Sequence, residues 1–354
     1  MFRRFGVPAF RVMATLETTN STACDLSIPP DYVLFGRSAE MCALQPKVAQ
    51  IAGAELPVLI YGETGTGKEV LANYIHCHSA RRHGPFVKIS CASIPASLLE
   101  AELFGYEQGA FTGANSTKPG LVELADGGTL LLDNIAELDI TIQAKLLQLL
   151  QDGTFARVGG EQERKIEIRV ICITNQNLRD DIARGRFRLD LFYRVDGASF
   201  RVPELRERAE DIPVIADYLV DLFNRMFDAQ AWPLSSAMCR RLQQYRWPGN
   251  IRELENVLRR YVVMGSPETI AEDIARRAFA YPPTELPMHR SLPLKERTQQ
   301  LVREVETQAI LRVLDLNNWN RRKAAEMLNI SYRALLYKIR SAGIGDYCPS
   351  KRTS

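Results

Sequence analysis

A glycine-rich turn between an apolar run and a helical pattern constrains this chain more than any other feature. Residues 56–61 are apolar, and residues 69–75 have the pattern of a helix. In such a turn, consecutive backbone N–H groups converge on phosphate oxygens, the helix N-terminus adds its positive dipole end, and a lysine supplies a full charge. The sequence therefore predicts a nucleotide-binding P-loop made of Gly62, Glu63, Thr64, Gly65, Thr66, Gly67 and Lys68. Glu69 stands where a Ser or Thr hydroxyl usually ligates Mg²⁺.

The order of apolar and helical segments predicts an α/β fold. Strand-like runs at 58–61, 86–89, 129–132 and 169–174 alternate with helical patterns, which is typical of a parallel sheet flanked by helices. The third run ends at Asp133, and a carboxylate at this edge of a parallel sheet can meet Mg²⁺. A helix N-cap is the alternative role for Asp133. We favour the metal role because the same chain carries the P-loop.

Composition and local patterns divide the chain into segments. A chain of 354 residues, 46% of them hydrophobic, is long enough for two or three domains. We expect a short N-terminal arm (1–31), an α/β ATP-binding part (32–208), a helical lid (209–280), a proline-rich linker (281–294), a final helical unit (295–345) and a tail (346–354).

The same composition bears on partners and location. The net charge of +3 is small, so a nucleic-acid surface has to be local. The seven cysteines lack short paired spacings, and no stretch has the apolar length of a membrane span. We therefore expect free thiols, no membrane partner and a cytoplasmic location.

The final helical unit predicts a helix-turn-helix. Residues 321–328 and 332–342 have the pattern of two short helices joined by a tight turn, with Ser331 as the cap of the second. Six cations face a single anion, Glu326, between residues 317 and 345, and this local excess favours contacts with the phosphates of double-stranded DNA. The candidate DNA-binding residues are Arg321, Arg322, Lys323, Ser331, Tyr332, Arg333, Tyr337, Lys338 and Arg340. A three-helix dimerisation unit with a solvated basic surface is the alternative.

Four motifs together carry a resemblance to a known family. They are the P-loop with Glu69, the run 102–114, the arginine-rich segment 185–194, and Trp-Pro-Gly-Asn-Ile-Arg-Glu-Leu at 247–254. Over about residues 33–280 the chain resembles the AAA+ domain of the bacterial enhancer-binding proteins, the activators of sigma-54 RNA polymerase. Over 300–345 it resembles the Fis-type helix-turn-helix that ends this family. The resemblance implies a P-loop subdomain with a helical lid, ATP and Mg²⁺ as cofactors, and assembly into dimers and a hexamer. Glu after the P-loop lysine is usual in that family.

The resemblance also implies roles in the nucleotide site. Lys68 and the backbone of 62–68 hold the triphosphate, and Asp133 holds Mg²⁺. Thr174 and Asn175 match the first sensor, and Arg252 on the lid matches the second.

Further roles concern neighbouring molecules. Arg188 and Arg194 match the arginine fingers that act on an adjacent subunit. The surface loop that touches the sigma factor corresponds to Gly109, Ala110, Phe111, Thr112, Gly113 and Ala114. Its glycines favour mobility, and Phe111 supplies a single large apolar side chain for a contact. An ordinary flexible turn is the alternative for this loop.

Two positions depart from the family pattern. Asn134 follows Asp133 where the family has the Glu that activates the attacking water, and Ser90 ends the preceding strand where the family has Asn. An amide cannot take a proton from water, and losing a general base costs roughly 10²–10⁴ in rate. We therefore expect ATP binding with slow hydrolysis. Glu137, one turn later, is a weaker candidate for the missing base.

Two functions follow from these residues. The first is an ATP-dependent activator that binds upstream DNA and remodels the closed complex of sigma-54 RNA polymerase as a ring. The alternative is a hydrolysis-deficient DNA-binding regulator, or a co-subunit of a mixed ring. About 30 residues precede the AAA+ region, whereas a sensory domain needs on the order of 100. We therefore expect regulation in trans, by an inhibitor or a partner subunit.

Overall fold

A computed structural model describes residues 28–266 except Ser93, residues 319–341, and the single positions 270, 273, 310, 313, 314 and 317. The chain divides into two compact units, residues 1–280 and 281–354, and each is described by itself. The predicted linker 281–294, the tail, and the arm before residue 28 lie outside the described residues. So does the side chain of Arg340.

The centre of the first unit is a five-stranded parallel sheet. Its strands are β1 (Val58–Tyr61), β2 (Phe86–Ser90), β5 (Thr129–Asp133), β8 (Arg169–Thr174) and β9 (Ala198–Arg201), in the order β2-β5-β8-β1-β9. The first four differ from the predicted runs by at most one residue at either end. The edge strand β9 was not predicted. Only one of its side chains, Phe200, is buried, so its sequence lacks the apolar run of the central strands.

The central strands of the sheet are buried on both faces. Along β5, Leu130 and Leu132 belong to one apolar cluster, whereas Leu131 between them belongs to the cluster on the other face. Side chains of successive strand residues alternate between the faces, so a strand covered on both sides reads as a continuous apolar run. Two small antiparallel ribbons, β3 (Gly105–Tyr106) with β4 (Lys118–Pro119) and β6 (Thr154–Ala156) with β7 (Glu163–Lys165), accompany the main sheet.

Helices cover the sheet and connect its strands. They are α1 (Asp31–Leu34), α2 (Ala39–Ala52), α3 (Lys68–Cys77), α4 (Ala96–Phe104), α5 (Leu121–Leu124), α6 (Ile140–Asp152), α7 (Leu178–Ala183) and α8 (Leu189–Val195). The helix α6 begins at a side-chain cap, because Asp139 accepts a hydrogen bond from the Thr141 N–H. A short 3₁₀ turn, Ile135–Glu137, follows β5 directly.

The described residues of the first unit from 205 onwards form the helical lid. A 3₁₀ segment, Leu205–Asp211, leads from the sheet into α9 (Ile212–Phe227), α10 (Ser236–Gln244) and α11 (Asn250–Met264). The apolar faces of these helices pack around Trp247, which is fully buried and donates from its indole N–H to the Leu242 carbonyl at 2.7 Å. The Trp-Pro-Gly part of the motif 247–254 separates α10 from α11.

Over residues 319–341, the second unit has two short helices, as predicted. They are α12 (Arg321–Met327) and α13 (Tyr332–Ser341). The Asn320 side chain caps α12, and the Ser331 hydroxyl accepts a hydrogen bond from the Ala334 N–H at 3.1 Å at the start of α13. Their common core consists of Ile310, Leu314, Ala324, Ala325, Leu335 and Ile339.

The cysteines only partly match the prediction. Cys42, Cys91, Cys172 and Cys239 are free thiols, as expected. Cys77 is disulfide-bonded, so the prediction of a free thiol is wrong for this residue. Among the residues that the structure describes, no helix is long and apolar enough to cross a membrane.

Candidate nucleotide site

A cavity of about 440 Å³ lies between the carboxyl edge of the sheet and the lid. The P-loop follows β1, Asp133 ends β5 and Asn175 follows β8, so strand order alone brings these residues to one edge. The opposite wall is largely apolar and includes Val33, Leu34, Met41, Ile215, Leu219 and Leu222. Pro29, which the sequence analysis placed in the arm, also lines this cavity.

At two positions the P-loop combines a positive φ, which favours glycine, with a contact that excludes a side chain. Gly62 has a φ of +154° and Gly65 a φ of +82°. A Cβ on Gly62 would lie 2.5 Å from the Val202 carbonyl oxygen, and one on Gly65 would lie 2.5 Å from the Gly249 carbonyl oxygen. These contacts leave no room for a side chain. The loop therefore keeps the shape of a phosphate cradle at the N-terminus of α3.

Lys68 is held at the centre of this cradle. Its side chain is buried, and its Nζ donates to the Gly62 and Glu63 carbonyls, both at 2.7 Å. Burial lowers the pKa of Lys68 to about 8, although the nearby Asp133 carboxylate opposes this shift. A buried ammonium group with an apolar surround and converging N–H groups fits the phosphates of a nucleotide.

Besides Glu255 of α11, two carboxylates line the cavity, and both fit the oxygen ligands that Mg²⁺ prefers. They belong to Asp133 and Glu69. Burial raises the pKa of Asp133, and the positive charge of Lys88 opposes this shift. Lys88 also forms an ion pair of 2.6 Å with Glu69. In the described part of the chain no cluster of three His, Cys, Asp or Glu side chains forms a separate metal site.

Asn134 faces the same cavity in an unusual backbone conformation. Its φ of 59° and ψ of 53° are left-handed, and asparagine tolerates this region better than most residues. Ser90 pairs with Asp133 in the β2–β5 register, so both departures from the family lie at adjacent strand ends. Glu137 is exposed and accepts a hydrogen bond from Gln176 Nε2 at 2.5 Å. It is not among the residues that line the cavity.

The two first-sensor positions differ in what they contact. Asn175 lines the cavity, and its Nδ2 donates to the Thr64 hydroxyl at 3.1 Å. Thr174 is buried, and its hydroxyl accepts a hydrogen bond from the Gln176 N–H at 3.0 Å, which holds the turn after β8. Arg252, on the first turn of α11, lines the cavity from the lid side.

The two predicted arginine fingers, Arg188 and Arg194, are not among the residues that line the cavity. Arg188 Nη2 forms an ion pair of 2.7 Å with Asp190. Arg194 donates from Nε and Nη2 to the Leu150 carbonyl at 2.8 and 2.6 Å. The structure therefore does not bring them to this chain's own nucleotide site.

The predicted sigma-contact loop is a compact turn at the surface. The Gly109 N–H donates to the Ala114 carbonyl at 3.0 Å, and the Ala114 N–H donates to the Phe111 carbonyl at 3.0 Å. Phe111 is 42% exposed, and its ring meets that of Tyr106 edge-on at 5.0 Å. A large apolar side chain is thus presented to solvent at the tip of the loop.

The predicted DNA-binding residues lie on the exposed faces of α12 and α13. Arg321, Arg322 and Lys323 are exposed at the start of α12. Tyr332, Arg333 and Tyr337 are exposed on α13, and Lys338 is half-buried. Leu335 and Ile339 point the other way, into the core of the unit. The cationic surface predicted from composition therefore belongs to one helix pair.

Two residues that hold the P-loop were not predicted from the sequence. Arg208 is buried in the cavity wall and donates from Nη2 to the Thr66 carbonyl at 2.7 Å, and burial lowers its pKa to about 10. Asn250 is also buried and donates to the Thr64 carbonyl at 3.1 Å. The motif 247–254 includes Asn250, but the sequence does not show which residue its side chain contacts.

Comparison with known proteins identifies the family to which each part of the chain is similar. Residues 34–201 match the model of the sigma-54 interaction domain, residues 206–287 the AAA+ ATPase lid domain, and residues 301–341 the bacterial regulatory proteins of the Fis family. The chain belongs to the sigma-54-dependent transcriptional regulators. The resemblance read from the motifs is thus confirmed, as is the fold class. Such regulators typically act through an ATP-dependent ring.

Individual relatives share most of this regulator's length. It is 43% identical to the regulatory protein AtoC of Escherichia coli over 313 residues, which cover 88% of this chain and 68% of AtoC. It is 39% identical to the Nif-specific regulatory protein of Azotobacter vinelandii over 319 residues, which cover 89% of this chain and 59% of that protein. The crystal structure of NtrX from Brucella abortus in complex with ATP matches this chain with 32% identity and a TM-score of 0.64. The match covers 88% of this chain and 69% of NtrX.

Proposed function

We propose that this regulator binds ATP with Mg²⁺ in the cavity between sheet and lid, and hydrolyses it slowly. The observation that carries the proposal is a complete P-loop beside an amide, Asn134, where a general base is needed. The metal ion, when bound, neutralises charge on the phosphates during transfer. Asp133 and Glu69 would hold it, and Lys68 would hold the terminal phosphates. Asn134 can orient a water molecule but cannot accept its proton.

The regulator would use this site within an assembly. Dimers bound to upstream double-stranded DNA through α12 and α13 assemble into a hexameric ring, in which Arg188 and Arg194 reach a neighbouring nucleotide. The loop 109–114 then contacts the sigma factor and remodels the closed complex of the sigma-54 RNA polymerase holoenzyme. Phe111 supports this role because its ring is exposed.

A second function is favoured by the same two departures. With Asn134 and Ser90 in place of the paired Glu and Asn, the chain would be a nucleotide-locked co-subunit, and a partner subunit would supply the missing carboxylate. The DNA-binding unit is common to both functions.

Two measurements on the purified chain test these functions. The first is ATP affinity by calorimetry, and the second is phosphate release in parallel with open-complex formation by sigma-54 holoenzyme. Slow phosphate release with open-complex formation supports the activator. Tight ATP binding without open complexes supports the co-subunit. Failure to bind ATP at all would reject both.

A further inference from the structure

Five consecutive carbonyl oxygens of the P-loop, from Gly62 to Thr66, accept hydrogen bonds. Those of Gly62 and Glu63 accept from Lys68. The next three accept from the lid and from the segment that leads into it: Thr64 from Asn250 Nδ2 at 3.1 Å, Gly65 from the Ile251 N–H at 2.9 Å, and Thr66 from Arg208 Nη2 at 2.7 Å. In a trans peptide the N–H points away from the preceding C=O. Holding these carbonyls outward therefore leaves the N–H groups free for phosphates.

Asn250 has the largest share in these contacts. Its side chain is buried, and Nδ2 donates not only to the Thr64 carbonyl but also to Glu63 Oε2 at 3.1 Å. Its Oδ1 accepts a hydrogen bond from the Leu205 N–H at 2.8 Å. One amide thus joins three segments: the P-loop, the 3₁₀ segment that leads into the lid, and the first residue of α11.

The backbone at Asn250 places the lid against the loop. Its φ of 52° is left-handed, which asparagine and aspartate adopt more readily than other side chains. The turn brings the Gly249 carbonyl so close to Gly65 that a Cβ there could not fit. Arg252 follows two residues later and reaches the cavity. Any movement of α11 must therefore pull on residues 63–65 or break the contacts of Asn250.

The acceptor on the loop is a charged carboxylate. Glu63 also accepts from Arg206 Nη2 at 3.1 Å. Burial opposes the charged form, but the hydrogen bonds from Asn250 and Arg206 outweigh it, so the pKa of Glu63 lies below its usual value. Hydrogen bonds to ionised groups are roughly twice as strong as neutral ones. The Asn250–Glu63 contact is therefore the stronger of the two that Nδ2 makes.

We propose that Asn250 is a positioning residue through which the lid sets the shape of the P-loop, so that nucleotide affinity depends on the lid. This inference rests on the proposed binding of ATP. Asn250 acts through the Thr64 carbonyl and the Glu63 carboxylate and does not line the cavity itself. The opening of the lid and the release of nucleotide are then one coupled event.

A donor–acceptor exchange tests this coupling in the full-length chain. Asn250→Asp keeps the left-handed backbone and the acceptor for the Leu205 N–H, but it removes the donor and adds a carboxylate beside Glu63, which already has the Glu204 carboxyl group as a neighbour. We expect ATP affinity, measured by calorimetry, to fall by at least about tenfold. Adding Glu63→Gln supplies an amide donor from the loop side, and the double variant should recover about fivefold or more.

A matched control lies within the lid. The Asn224 side chain also uses both ends, since Oδ1 accepts from the Ala231 N–H at 2.9 Å and Nδ2 donates to the Ala231 carbonyl at 3.1 Å. Neither partner belongs to the P-loop. Asn224→Asp should therefore leave ATP affinity within about twofold of the native value even if it lowers stability.

Hydrogen exchange of the Ile251 amide, which donates to the Gly65 carbonyl, gives a readout without nucleotide. It should accelerate in Asn250→Asp and slow again in the double variant. Native affinity and native exchange in Asn250→Asp, or no recovery in the double variant, would overturn the proposal. If Asn250→Asp does not fold, Glu63→Ala takes its place, and ATP affinity within about twofold of native would overturn the proposal equally. Failure of the native chain to bind ATP would reject the proposed function, and exchange alone would then decide the coupling.

Discussion

Replacing Asn134 by Glu should accelerate ATP hydrolysis and lower stability at the same time. The acceleration follows from chemistry, because a carboxylate can take the proton of the attacking water and an amide cannot. A general base is worth roughly 10²–10⁴ in rate, and 10² corresponds to about 2.7 kcal/mol of barrier. The position is suitable because Asn134 lines the cavity beside Asp133 and the P-loop.

The loss of stability follows from the backbone. Asn134 has a φ of 59° and a ψ of 53°, and an ordinary L-residue costs about 1–2 kcal/mol in the left-handed region. Asparagine relieves part of that cost, so Glu should lower the free energy of unfolding by about 1 kcal/mol. A loss of about 1 kcal/mol is small against the roughly 5–15 kcal/mol by which native proteins are stable, so the variant should stay folded. The lower barrier should then make it the faster enzyme.

Two further variants separate the carboxylate from the backbone. Asn134→Gln has the shape of Glu and the same backbone cost but no base, so it should be destabilised and slow. Ser90→Asn combined with Asn134→Glu supplies both groups of the family device at paired strand ends. It should be at least as fast as the single variant. The assay is steady-state phosphate release at saturating Mg²⁺–ATP, with ATP affinity measured separately. A native rate equal to that of the Glu variant, or a Gln variant as fast as Glu, would refute the reasoning.

Three other predictions follow from the described geometry. Burial holds the pKa of Lys68 at about 8, and the protonated amine binds phosphate, so ATP affinity should fall as pH rises from about 7 to 9. In Lys68→Arg the affinity should not change over that range. A native affinity that does not change with pH would contradict this prediction. Arg333→Ala should weaken DNA binding in gel-shift assays and reduce the dependence of log affinity on log salt concentration by about 1, without changing ATP affinity. Lys47→Ala, at an exposed position of the first unit, is the control. A DNA affinity of Arg333→Ala equal to the native value would exclude α13 as the recognition helix. Phe111→Ala should abolish open-complex formation and change stability by less than about 1 kcal/mol, whereas Leu124→Ala, at a similarly exposed position, should leave open-complex formation intact.

The sequence was most informative where chemistry and chain order coincide. The P-loop is contiguous, so its glycines, lysine and following helix could be read together from residues 62–68. The central strands are buried on both faces and therefore form apolar runs that no other element explains. The N-caps Asn320 and Ser331 stand directly before their helices and mark where each of the two helices starts.

Contacts between distant segments could not be read in this way. The edge strand β9 has one buried side chain, and its place beside β1 depends on tertiary pairing rather than on its own pattern. The apolar wall of the cavity combines Val33 with Leu219, which no local periodicity connects. Arg208 reads as part of a charged surface segment, whereas its guanidinium is buried against Thr66. In each case the deciding partner lies more than a hundred residues away in the sequence.

The two left-handed asparagines at this site show why backbone and chemistry have to be separated by experiment. Asn134 and Asn250 have nearly equal φ, 59° and 52°, and both conformations alone would favour asparagine. At Asn250 the side chain is also needed, since both ends of the amide have partners in other segments. At Asn134 the side chain faces the cavity, so the backbone preference and the loss of a base coincide at one residue. At Asn134, substitution by Gln, which has the shape of Glu without its charge, distinguishes the backbone effect from the loss of the base. At Asn250, an exchange of donor and acceptor distinguishes the backbone effect from the side-chain contacts.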